Sequence, residues 1–171
     1  MQRWILTVLA TLIFGCEVQA QTATDPNQGL TIAKDPVSGT FAISWWGLSG
    51  RTFFIQQSRD LFSWSYFPVI ESGSGQPIMW GFSSSAAKLF LRLEFTDIPT
   101  SDPFTADFAG DGMSAYWKIL NGFDPLVWLD PNGDPTGDGE TNLINFQNNT
   151  NAHKPLPVLT LLAPSGALLV P

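Results

Sequence analysis

Cysteine, histidine and basic residues are scarce in this chain, and each shortage excludes a class of function. With one Cys and one His among 171 residues, the chain cannot form an internal disulfide or a Cys/His zinc set, and it has little material for catalysis. Eight Lys and Arg stand against fifteen Asp and Glu, and there is no basic stripe, whereas nucleic-acid binding depends on neutralising phosphates. We therefore expect a protein that is not an enzyme and has no nucleic-acid partner.

Apolar side chains, in contrast, are plentiful. Aliphatic and aromatic residues make up 44% of the chain, with seven Trp and thirteen Phe, which is enough to form a hydrophobic core. The fifteen Gly and thirteen Pro are spread along the sequence and do not form a low-complexity tract. The length corresponds to one domain, or to one domain with an appendage.

Residues 1–20 have the organisation of a cleavable export signal. A short positive region precedes the apolar run Trp4–Gly15, and Val18–Ala20 places small residues where a signal peptidase cleaves. Because so short a run cannot cross a hydrocarbon core of ~30 Å, we expect a secreted or cell-surface protein with no transmembrane span in the mature chain. The alternative is a lipoprotein anchored through Cys16, for which Phe14 is a poor match because a small residue is usual there.

Residues 21–100 are predicted to form a β domain. From Leu30 to Phe95, apolar residues alternate with polar residues between turn signals, which is typical of half-buried antiparallel strands. The alternation is clearest from Lys88 to Phe95. The core face of this strand is expected to carry Leu89, Leu91, Leu93 and Phe95, and its outer face Lys88, Arg92 and Glu94.

Two earlier strands are predicted to pair as a hairpin. The apolar alternation of Phe41–Trp45 is followed by the turn residues Gly47–Gly50 and then by Thr52–Ser58. Within the second of these strands, Gln56 is expected to face outward.

The same region carries a resemblance to a known family. It rests on the run Gln56–Trp64, QQSRDLFSW, with Gly50–Phe53 before it and Phe90–Leu93 after it. These residues resemble a fibronectin-type-III-like β domain of large secreted bacterial proteins, over about Leu30 to Asp97. The resemblance implies a small antiparallel sandwich of immunoglobulin or fibronectin type III character.

Tryptophan gives this domain an alternative function. A flat aromatic face exposed on a sheet can stack on sugar, so the alternative is a carbohydrate-binding module. Trp46 is the best candidate because it has the opposite parity to Phe41, Ile43 and Trp45, which are expected in the core. The rings considered for such a platform are Trp45, Trp46, Trp64 and Trp80.

The charge pattern changes after Phe95. Between Asp97 and Glu140, nine acidic residues stand with one base, Lys118, and Gly and Asn are interleaved with them. Ca²⁺ takes about six to eight oxygen ligands, and a loop with side chains at positions 1, 3 and 5 and a Gly at 6 wraps the ion. The spacing therefore favours a calcium loop over a merely solvated acidic face.

The first window that matches this loop begins at Asp107. It keeps Asp111 at position 5 and Gly112 at position 6. It has Ala109 at position 3, however, and Lys118 at position 12, where a Glu normally completes the ligand shell. A short helix is predicted over Ala115–Leu120, opened by Ser114 and ended by Gly122.

The second window begins at Asp134 and keeps more oxygen ligands. Thr136 and Asp138 take positions 3 and 5, Asn145 stands at 12, and a second helix is predicted over Asn142–Asn148. The predicted metal ligands in the two windows and their flanks are Asp107, Asp111, Asp124, Asp130, Asn132, Asp134, Thr136, Asp138 and Glu140.

The segment from about Asp102 to Asn151 also resembles a known repeat. Asn121–Pro125 and Asp138–Leu143 are similar to parts of the thrombospondin type 3 repeat and of EF-hand-like loops in secreted bacterial proteins. The resemblance implies Ca²⁺ as the cofactor. The site is expected to be weak and partial, because four positions depart from the carboxylates of the pattern: Ala109, Lys118, Thr136 and Asn145.

These predictions together describe a mainly β protein. A small antiparallel sandwich is followed over 101–154 by a loop-rich, degenerate calcium-repeat segment with two short helices, and the apolar, Pro-containing tail 155–171 is expected to begin a further β domain. We expect a secreted structural, adhesion or spacer module with weak Ca²⁺ binding. Its candidate partners are extracellular polysaccharide and cell-surface proteins.

Overall fold

The computed structural model describes residues 29–153 and the backbone of one strand near the N-terminus. Cys16, the predicted cleavage site and the tail 155–171 lie outside the described residues. Seven strands and two helices occupy the described part. They are β1 (Trp4–Thr11), β2 (Thr31–Lys34), β3 (Phe41–Gly47), β4 (Thr52–Ser58), β5 (Ser65–Ser72), β6 (Gln76–Phe82), β7 (Phe90–Thr96), α1 (Ala115–Leu120) and α2 (Asn142–Gln147).

The strands form two antiparallel sheets. One sheet has the order β2-β3-β6 and the other β5-β4-β7, with the backbone of β1 paired along the remaining edge of β7. The predicted fold class is confirmed, because the protein is mainly β, with sandwiched sheets, a loop-rich segment and two short helices. Neither helix in the described residues has the length and apolar character needed to cross a membrane.

The core between the sheets contains the predicted strand face. Leu89, Leu91, Leu93 and Phe95 are all buried there, as expected from their alternation. They pack with residues of the opposite sheet such as Ile43 and Trp45. Period-two alternation therefore identified the inward face of β7 correctly.

The predicted hairpin is wrong. β3 pairs with β2 and β6, whereas β4 pairs with β5 and β7, so the two strands lie in different sheets. The turn after Gly47 carries the chain from one sheet to the other, and the rings of Trp45 and Phe53 meet across the core with centroids 6.0 Å apart. Alternation marks which face of a strand is buried, but it does not identify the neighbouring strand.

A second core covers the other face of the β5-β4-β7 sheet. Phe54, which has no exposed surface, packs with Phe108, Ala115 and Ile119 from the segment that follows β7. The rings of Phe54 and Phe108 meet edge to face, with centroids 5.8 Å apart. β4 and β7 are therefore buried on both faces, and these two strands do not have the solvated outer face that alternation predicted.

Two side chains expected on that outer face are consequently buried. Gln56 is 5% exposed and Glu94 is 2% exposed. Each has a hydrogen-bond partner, because Arg92 Nε donates to Gln56 Oε1 over 2.5 Å and the Tyr66 hydroxyl donates to Glu94. Such partners are what makes burial of a polar side chain tolerable.

The chain divides into two compact units after Leu129. We predicted the division at residue 100, but Phe108, α1 and Leu126 pack on the sheet and belong with the strands. The second unit begins at Asp130 and contains the second acidic window and α2.

Phe54→Ala should destabilise the first unit by about 3–5 kcal/mol, because it leaves a cavity between the sheet and residues 101–129, which form its cover. Phe62→Ala is the matched control, since that ring is 91% exposed, and it should change the free energy of unfolding by less than about 0.5 kcal/mol. Urea unfolding followed by tryptophan fluorescence measures both variants. Equal losses would mean that residues 101–129 do not cover the sheet in solution.

Candidate functional site

The first acidic window forms a compact loop around the carboxylate of Asp107. Its Oδ1 accepts hydrogen bonds from the backbone N–H of Gly110, at 2.8 Å, and of Asp111, at 3.2 Å, and its Oδ2 accepts one from Gly112, at 2.7 Å. Gly112 has φ +85°, a conformation that favours glycine and turns the chain toward α1. The aspartate at position 1 therefore holds three consecutive backbone N–H groups of the loop.

The second window forms the same loop, with each residue 27 positions after its counterpart, as Asp134 is after Asp107. Asp134 accepts hydrogen bonds from the N–H groups of Gly137, Asp138 and Gly139 at 2.8, 3.3 and 2.8 Å. The hydroxyl of Thr136 donates a fourth, over 3.2 Å. The spacing identified in the sequence is thus a repeated local structure.

Each loop leads into one of the two predicted helices. Ser114 caps α1 by accepting from Trp117 N–H, and Thr141 caps α2 by accepting from Ile144 N–H, each over 3.3 Å. A side-chain oxygen at this position satisfies an N–H group that has no partner in the helix. Both helices are confirmed, α1 at its predicted bounds and α2 one residue shorter.

The two loops differ most at positions 5 and 12. In the first loop, Lys118 Nζ lies 2.5 Å from Asp111 Oδ2 and 2.6 Å from the carbonyl oxygen of Val127, and neither side chain of the ion pair has exposed surface. Asp111 also accepts hydrogen bonds from Met113 N–H, at 3.1 Å, and Leu129 N–H, at 2.9 Å. The carboxylate therefore accepts from three donors, all of its own unit.

In the second loop, position 12 carries no charge. Asn145 Nδ2 donates to the carbonyl oxygens of Glu140 and Thr141, at 3.1 and 3.2 Å, and its Oδ1 accepts from the Thr150 hydroxyl at 2.7 Å. Asp138, at position 5, accepts from Glu140 N–H at 2.9 Å. Because Asn145 turns to the backbone, it provides no counterpart to the ion pair of the first loop.

The remaining predicted ligands take part in turns. Asp130 accepts from Asn132 N–H at 3.0 Å, and Asp124 accepts from Leu126 N–H at 2.9 Å. Glu140 is half-buried beside α2. Within residues 29–153, no group of three or more His, Cys, Asp or Glu side chains is arranged to hold a metal ion.

Sequence reasoning missed Asn142 at position 9 of the second window, where the sequence predicts only the start of a helix. Its side chain is 2% exposed, and Nδ2 donates to the carbonyl oxygen of Asp130 over 2.9 Å. The amide oxygen is buried and has no hydrogen-bond donor among the described residues. A buried acceptor of this kind is costly unless a water or cation serves it.

Backbone N–H groups set the ionisation of both position-1 aspartates. The N–H of Gly139, with those of Gly137 and Asp138, lowers the pKa of Asp134 below its ordinary value. Partial desolvation by itself would raise the pKa of Asp107, but the N–H groups of its loop outweigh that effect and lower it. Both carboxylates are therefore ionised at neutral pH.

The tryptophans do not form one platform. Trp45 is buried. The guanidinium carbon of Arg92 lies 4.0 Å from the centroid of the Trp64 ring, and Trp80 donates a hydrogen bond from Nε1 to Glu71 over 2.7 Å. Trp46 points away from the core, as predicted, and is half-buried. Sequence reasoning missed Trp128, which is 58% exposed.

No protein-family model, curated protein or solved structure matches the chain.

Acid should destabilise the protein through Asp107 and Asp134. Because both folded-state pKa values lie below the ordinary value of 3.8, their stabilisation is complete above that pH and is lost as the pH falls through the lowered values. Asp107→Asn should reduce stability at pH 6 and make it less dependent on pH between 6 and 2. Urea midpoints measured across that range test this, and an unchanged pH dependence would contradict it.

Proposed function

We propose that the chain is an exported, non-enzymatic structural module whose second loop takes up Ca²⁺ weakly and is ordered by it. The observation that carries the proposal is the charge of the described part of the second unit. Between Asp130 and His153 there are four carboxylates and neither Lys nor Arg. Like charges held in one loop repel one another, and a bound cation relieves that repulsion.

The side chains of the loop have oxygen lone pairs available for such a cation. A carboxylate offers about four lone-pair positions, and Asp138 uses one of them, for Glu140 N–H, while Asp130 uses one, for Asn132 N–H. Asp134 already accepts four hydrogen bonds and would exchange the one from the Thr136 hydroxyl for the ion. The oxygen of Asn142, buried and without a donor among the described residues, further supports a need for a cation or a water in this unit. The proposed ligands are Asp134, Thr136 and Asp138, with Asp130, Asn132 and Glu140 at the flanks.

A weak site is sufficient for a spacer or adhesion module outside a cell. Extracellular calcium modules commonly have Kd values of about 10⁻⁴–10⁻³ M, and Asn145 lacks the charge of the Glu that normally completes the shell. At a free Ca²⁺ concentration about ten times Kd, a site that binds only the folded state adds about 1.4 kcal/mol of stability. Ordering by Ca²⁺ would keep the module folded while it contacts its partners. We propose that these partners are extracellular polysaccharide or cell-surface proteins.

Millimolar Ca²⁺ should make residues 130–153 more resistant to protease, and a chelator should reverse the effect. Asp134→Ala should blunt this response more than Asp107→Ala, its matched control at position 1 of the first loop, because the first loop already contains Lys118. Limited proteolysis and calorimetry measure the two effects. Absence of heat at millimolar Ca²⁺, with proteolysis indifferent to chelator, would overturn the proposal.

A second candidate function is sugar binding at Trp46. Its ring lies on the outer face of the β2-β3-β6 sheet, opposite Pro77, and the next outward pair along the strands is Ser44 with Met79. Met79 is 71% exposed, and the following outward pair, Ala42 with Gly81, is small. Trp46 itself is half-buried, so part of its side chain reaches solvent.

If this face stacks on sugar, an insoluble polysaccharide should retain the parent protein and should not retain the Trp46→Ala variant. Trp128→Ala is the matched control, because that ring is exposed but lies outside the sheet. A pull-down across several polysaccharides provides the measurement. Equal retention of both variants, or no retention of the parent protein, would exclude this function.

A further inference from the structure

We infer that the ammonium group of Lys118 is the permanent cation of the first loop, so that this loop folds without a metal ion. Lys118 stands at position 12, where a calcium loop brings a carboxylate to the ion. Its Nζ instead contacts two oxygens, Asp111 Oδ2 at 2.5 Å and the Val127 carbonyl at 2.6 Å. A side-chain cation thus binds a carboxylate and a carbonyl, the two kinds of oxygen that Ca²⁺ would otherwise take.

Burial makes this arrangement incompatible with a second cation. The side chains of Lys118 and Asp111 have no exposed surface. Charges interact strongly where water is excluded, so an ion placed beside the ammonium would be repelled. Removing the ammonium would in turn leave the carboxylate of Asp111 buried without a counter-charge, which is strongly destabilising.

The second loop provides an internal comparison. The residue that corresponds to Lys118 is Asn145, which is neutral and bonded to the backbone carbonyls of Glu140 and Thr141. The loops share their N–H contacts to the first aspartate, but at position 12 the first carries a cation and the second a neutral amide. The inference concerns the first loop alone and does not depend on Ca²⁺ uptake by the second.

The ion pair also determines where α1 is held. Lys118 is within α1, while its acceptors lie in the loop before the helix and in the segment after it. Ala115 and Ile119, on the same helix, pack in the core around Phe54. The cover on the sheet should therefore be retained at any calcium concentration.

Hydrogen exchange of the α1 amides in the full chain tests the inference, with CaCl₂ or EDTA as the only variable. In the parent protein, protection of residues 115–121 should be the same within about twofold in both conditions. Lys118→Glu should lose at least about tenfold of that protection in EDTA and regain it in millimolar CaCl₂, because it restores the ligand expected at position 12. Lys118→Met, which supplies neither charge nor ligand, should lose protection in both conditions.

Three results would overturn the inference. Ca²⁺-dependent protection of α1 in the parent protein would mean that the first loop binds the metal. Full protection in Lys118→Met would mean that the ammonium is not needed. A Lys118→Glu chain that Ca²⁺ does not restore, including one that stays unfolded in CaCl₂, would mean that the lysine does not take the place of an ion.

Discussion

The ion pair of Lys118 and Asp111 is the interaction on which the cover of the sandwich depends. Burying two charges costs several kcal/mol for each ion, so such a pair persists only when other groups satisfy the remaining lone pairs and protons. Two backbone N–H groups and one backbone carbonyl do so here. The same contacts join the loop before α1, the helix itself and the segment after it, which together pack on the sheet in the second core.

That cover changes the environment of the polar side chains on the outer face of the sheet. Glu94 and Tyr66 would be ordinary surface residues on a sandwich with one solvated face, but here the Tyr66 hydroxyl donates to the buried carboxylate of Glu94. Burial, together with this contact, raises the pKa of Tyr66 above its usual range, so the hydroxyl keeps its proton at physiological pH. The outer face of β4 and β7 therefore behaves as an interior with paired polar groups.

The two acidic loops illustrate how one backbone geometry supports different electrostatics. In both, the first aspartate accepts three N–H groups from a turn that ends in a glycine with positive φ. The two loops thus share one set of local hydrogen bonds. The electrostatics differ at position 12, which is a cation in one loop and a neutral amide in the other.

The features that depend on neighbouring residues could be predicted from the sequence alone. Alternation predicted the buried face of β7, because side chains in a strand alternate between its two faces. Ser114 and the glycine that follows α1 predicted that helix, since capping and termination involve neighbouring residues. The spacing of Asp and Gly likewise predicted both loops, which are organised by contacts within about five residues.

Features that depend on residues far apart in the sequence became visible only in the tertiary structure. Alternation could not reveal that β3 and β4 lie in different sheets, because the pattern of one strand is the same whichever strand is beside it. Gln56 and Glu94 looked solvent-exposed because the residues that bury their face come from a later segment. Lys118 stood out in the sequence only as a departure from the calcium pattern. Its pairing became visible when the fold placed Asp111 and the Val127 carbonyl around its ammonium group, since the strength of a charge interaction depends on distance and burial, which the order of residues does not specify.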